Sequence, residues 1–87
     1  MHMTGMLAMS LAGHDKGTLY YIRRSDGENV DLVDGRIRTL DHPKRKKCKH
    51  IQVIKEIQEE LIALEESGKL RNEDIRRVLK ARQKRPV

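Results

Sequence analysis

Apolar residues in the first half of the chain fall in short runs separated by polar, glycine-bearing segments, and the spacing changes near residue 54. Gly5 to Leu11 is a mostly apolar run between polar flanks, of strand rather than helix length. Thr18 to Arg24 is rich in β-formers and stops at Ser25-Asp26-Gly27, a turn signal, so it predicts a second strand. Asn29 to Val33 alternates Val30 and Leu32 with Asp31, which predicts a third strand. Asp34-Gly35 gives a two-residue hairpin signal, and Arg36 to Leu40 follows as a fourth strand with Arg36 and Arg38 on the face opposite Ile37. Ile51 to Ile54 supplies a fifth. Five short strands joined by glycine turns predict a small closed barrel over residues 1–54.

From Lys55 the period becomes helical. Ile54, Ile57, Leu61 and Leu64 recur at steps of three and four, so a helix is expected from Lys55 to Glu66, with Ser67-Gly68 as its stop. Asn72 suits an N-cap, Glu73 and Asp74 suit a helix start, and Ile75, Val78 and Leu79 make an apolar face to about Gln83. The chain thus divides into a β unit over 1–54 and an α-helical hairpin with a basic tail, Arg82, Lys84 and Arg85, over 55–87. The first helix is poorly supported by its own charges: Glu56 and Glu60 repel, and Glu65 and Glu66 sit at the negative end of the dipole. It must dock on the β unit, on the second helix or on another chain, and a homodimer through these helices is one of the outcomes.

Charge narrows the partners. The formal charge is +6, distributed as +4 over residues 1–54, −4 over 55–67 and +6 over 68–87. That balance favours polyanions such as nucleic acid or an anionic membrane surface. No membrane-length apolar run or signal-peptide pattern is present, so no membrane partner is expected. The single Cys48 excludes an intramolecular disulfide, and a cytoplasmic setting fits best. Met1-His2, ahead of Met3, reads as a cloning remnant without a role. With no Phe or Trp the core is thin, and no nucleophile–base set or confined carboxylate pair is evident; neither catalysis nor a cofactor is expected.

Two stretches carry candidate chemistry. In Gly13-His14-Asp15-Lys16-Gly17 the glycines permit tight turns and close approach of another backbone, Lys16 offers a cation, and Asp15 either caps its own turn or serves a site. In Lys44 to Lys49, five cations in six positions repel one another unless an anion sits between them. Pro43 places this run in an edge or a loop. Tyr20 and Tyr21 point to opposite faces of a strand, so one packs while the other faces solvent or a base. His42, Cys48 and His50 lack paired zinc-ligand spacing, and no metal is expected.

The Gly13 to Gly17 loop, preceded by Gly5 and followed by an apolar strand, resembles the KOW motif, in which such a loop joins the first two strands of a small SH3-like barrel. Asp34-Gly35-Arg36-Ile37-Arg38-Thr39-Leu40 and the Pro43 to His50 run, in the same order, are similar to small bacterial KOW-domain RNA-binding proteins and to KOW-containing large-subunit ribosomal proteins. The resemblance covers residues 5–54; His14 departs from the often basic family position, and the helical extension lies outside the module. It implies a five-stranded SH3-like barrel that binds RNA, ribosomal RNA above all, and associates with the ribosome or its proteins. Gly13, Asp15, Lys16 and Gly17 hold the motif positions. Arg36, Arg38, Lys44, Arg45, Lys46, Lys47, Lys49 and His50 complete the expected RNA site, which engages about five phosphates. The alternative is a protein-interaction adaptor of the translation or transcription machinery, using the barrel and the acidic helix.

Overall fold

The computed structural model describes residues 3–84; Met1, His2 and Arg85 lie outside the described residues. Strands β1 (Leu7–Ser10), β2 (Leu19–Ser25), β3 (Asn29–Val33), β4 (Lys44–Lys47) and β5 (Ile51–Ile54) precede helices α1 (Glu59–Glu66) and α2 (Asn72–Gln83), with a 3-10 turn, Cys48–His50, between β4 and β5. The strands form one antiparallel sheet in the order β4-β3-β2-β1-β5, and the described edges β4 and β5 are not paired with each other. No described helix is long and apolar enough to cross a membrane.

The sheet buries side chains on both faces because β2 is apolar at consecutive positions. Leu19 and Tyr21 join Leu7 and Val33 in one cluster, where Leu61 of α1 and Ile75 and Leu79 of α2 cover them. Tyr20 and Ile22 point the other way, into a cluster with Ala8, Val30, Leu32 and Ile51. Neither α1 nor α2 contributes to that second cluster; the sheet curls enough to bring Ile51 of the edge strand β5 together with Val30 and Leu32 of β3, and Met3, Met6, Cys48 and Val53 pack at the margin. An irregularity in the β2–β3 register between Ile22 and Arg24 adds local twist.

Two predicted elements are corrected. Arg36 to Leu40 is not a strand, because Asp34 consumes the backbone groups that a hairpin needs. Its Oδ1 accepts from the N–H groups of Arg36 and Arg38, each at 2.9 Å, and the N–H groups of Asp34 and Gly35 donate to the Arg38 carbonyl. Ile37 is left 84% exposed. The partner of β3 is instead the basic run, with Asp31 opposite Arg45 and Val30 opposite Lys46. Gly35 has φ 78°, and a Cβ there would lie 2.4 Å from the Asn72 carbonyl oxygen, so this glycine seats α2 against the loop.

The first helix starts at Glu59 rather than Lys55, because Ile54 is committed to the ladder opposite Leu7 and Gln58 N–H donates to Gly5 O. Ile57 stays half exposed in the connection. Gly68, at φ 72°, follows the helix end as expected. Arg71, not Asn72, is the N-cap of α2; its N–H donates to the Asp74 carboxylate, while Asn72 Oδ1 accepts from Leu40 N–H. The poorly supported charges of the first helical region find distant arginines: Arg82 on Glu56, Arg77 on Glu60 and Arg23 on Glu65.

Candidate nucleic-acid interface

The Gly13 to Gly17 loop connects β1 to β2 and is closed by its own backbone: Lys16 N–H donates to Gly13 O, Thr18 N–H to Asp15 O and Gly17 N–H to Ser10 O. Gly17 has φ 89° with open space around its Cβ position, so glycine is required there by the turn rather than by packing. The loop turns the Asp15 side chain inward and leaves Lys16 exposed.

Asp15 is the junction of the site. Its carboxylate accepts from Ser10 Oγ at 2.9 Å, Tyr20 Oη at 2.8 Å and Lys46 Nζ at 2.9 Å, with Lys44 Nζ at 3.6 Å. Lys46 also donates to Ala12 O at 3.0 Å. Burial pushes the Asp15 carboxyl up, but the hydrogen bonds from Lys46, Tyr20 and Ser10 and the charge of Lys44 outweigh it and hold the group far below the usual carboxylate range. Tyr20 is pushed up, first by burial and then by Asp15.

Strand alternation divides the basic run. Lys44 and Lys46 lie on the face of Leu32 and Val30 and reach Asp15, whereas Arg45 lies on the opposite face and pairs with Asp31, at 3.2 Å, and with Asp26. The anion expected between these cations is therefore supplied by the chain itself. Asp26 is held below its ordinary value chiefly by the N–H groups of Asn29 and Glu28, with Arg45 adding to the effect. Lys47 and Lys49 are exposed beside Glu28 and Asn29, and His50 is half-buried, its carbonyl accepting from Leu11 N–H.

Neither tyrosine is free to stack on a base. Tyr20 is 3% and Tyr21 1% exposed, because the sheet is covered on both faces. Burial, then the charge of Glu65, pushes the Tyr21 hydroxyl up to about 12.

A second basic surface joins Arg36, one of the expected site residues, to cations of the last helix that lie outside the expected set. The exposed side chains of Arg36, Arg76, Lys80 and Lys84 surround one depression, joined there by Arg77, which is paired with Glu60. An adjoining groove lined by Thr18, Leu19, Asp34, Arg36, Lys80 and Gln83 leads back to the glycine loop. The i, i+4 spacing of Arg76, Lys80 and Lys84 is visible in the sequence; the approach of Arg36 depends on the docking of α2.

No protein-family model matches the chain, and no curated protein matches it.

Proposed function

We propose that this chain is a non-enzymatic RNA-binding protein of the KOW type, built on an SH3-like barrel, that holds structured RNA, with ribosomal RNA as the leading target, through its phosphates. The observation that carries the reading is the Asp15 junction, which fastens the Gly13 to Gly17 loop to the basic strand β4. Two of the three stretches that carry the resemblance, the glycine loop and the basic run, thereby act as one surface, and a prepaid geometry lowers the ordering cost of binding.

The antiparallel order, the curl of the sheet over its second cluster and the short 3-10 turn between the edge strands support the barrel. Lys16, Arg36, Arg38, Lys47 and Lys49 have no carboxylate partner among the described residues and form the phosphate-binding set, while Lys44, Arg45 and Lys46 brace the platform. With the tyrosines buried, selectivity comes from RNA shape rather than base stacking. The adaptor alternative is weakened, because Glu56, Glu60 and Glu65 are already engaged by arginines of the same chain.

Fluorescence titration of ribosomal RNA across a salt series tests this. Five phosphate contacts give a slope of log affinity against log salt at least as steep as roughly −3.5. Absent binding, or an affinity that barely changes with salt, overturns the proposal.

A further inference from the structure

The cations of this protein are treated unequally. Arg23, Arg45, Lys46, Arg77 and Arg82 each face a carboxylate. Arg36, Lys80 and Lys84 have none among the described residues, and Arg76 donates only to the Gly35 carbonyl, at 2.6 Å. These last four gather on one surface.

The arrangement has a direction. Asn72, Arg76 and Lys80 are spaced four apart along α2, with Lys84, the C-cap, four further on, and such residues line one side of a helix. Asn72 and Arg76 fasten the N-terminal end of this stripe to the 34–40 loop, and Lys80 and Lys84 continue it as exposed cations. Successive members are separated by about 6 Å along the axis, so Arg76 to Lys84 spans about 12 Å, a length suited to neighbouring phosphates of one strand.

The helix dipole explains only part of the stripe. Cations are favoured near a helix C-terminus, which accounts for Lys80 and Lys84; Arg76 lies outside the last turn, where the dipole gives a cation no support, and Arg36 lies outside the helix. Like charges four residues apart also repel. An external anion relieves this repulsion, and the groove through Thr18 and Gln83 connects the stripe to the loop bearing Lys16.

We propose that the outer face of α2 is a second RNA-contact surface, on which Arg36, Arg76, Lys80 and Lys84 take the phosphates of a strand that leaves the glycine loop along this groove. The helical hairpin then both covers the sheet and extends the RNA footprint. This rests on the RNA-binding reading above.

The test compares wild type, K80Q/K84Q, K16Q/K47Q/K49Q and the charge-matched control K55Q/K69Q, each titrated with the same ribosomal RNA fragment across a salt series. Lys80, Lys84, Lys55 and Lys69 are exposed and make no ion pair among the described residues, so these variants keep the fold, which thermal unfolding verifies. The expected result is that K80Q/K84Q lowers the magnitude of the salt slope by about 1.4–1.8 while K55Q/K69Q leaves it unchanged. An unchanged slope in K80Q/K84Q, with loss of affinity in K16Q/K47Q/K49Q, overturns the second surface alone. Equal losses in K80Q/K84Q and K55Q/K69Q also overturn it, since bulk charge then suffices. Absence of RNA binding by wild type overturns both this surface and the function it extends.

Discussion

Lys46 keeps only 10% of its side chain exposed, and an ammonium in that position is held by the carboxylate opposite it. Asp15→Asn preserves the shape but leaves Lys46 without its counter-charge; the expected loss is about 2–4 kcal/mol of unfolding free energy, measured by urea denaturation. The pH dependence has a fixed sign. Because the folded carboxyl is depressed, its contribution is complete above the ordinary value of 3.8 and is lost as pH falls through the folded value. Wild type therefore loses stability steeply on acidification below that value, whereas Asp15→Asn gives a shallower acid limb; parallel limbs contradict this role for Asp15. The loop around Asp15 was legible because its glycines act locally. The partner was not, because Lys46 is 31 positions away and only the β3–β4 register brings it near.

At the level of elements, short apolar runs and turn signals located β1, β2 and β5, alternation located β3, and the same alternation misplaced the fourth strand. The segment Arg36 to Leu40 alternates, yet its backbone is folded around Asp34; β4 has no apolar residue, yet it pairs along β3. An edge strand tolerates this composition, since its charges also discourage pairing with another chain. The helical spacing begins before the helix does, because Ile54 and Ile57 continue it while Ile54 belongs to the sheet. An amphipathic stripe fits a sheet, a second copy or a partner equally well, so it does not fix where the helices dock. In the structure, Leu61, Ile75 and Leu79 complete one cluster with Leu7, Leu19, Tyr21 and Val33. Removing residues 55–87 uncovers those four side chains, so the truncated chain is expected to lose its cooperative urea transition; a transition at the wild-type midpoint contradicts a shared core.

Across the whole molecule, the +6 charge says less about the proposed RNA contacts than the division between paired and unpaired cations. Sequence supplied the charges in the Lys44 to Lys49 run, but their pairing depends on side-chain direction in β4 and on carboxylates from three separate segments. In the proposed RNA complex, Lys44, Arg45 and Lys46 belong to the platform, and the outward set would carry counterion release. The most direct test is the salt slope for ribosomal RNA measured side by side for wild type, K16Q/K47Q/K49Q and R45Q. Loss of the three unpaired lysines is expected to reduce the slope by about 2–3, while R45Q, whose guanidinium is engaged by Asp26 and Asp31, leaves it unchanged. An unchanged slope in the triple variant, or a reduction by R45Q as large as one lysine's share, contradicts the division of labour and the RNA surface built on it.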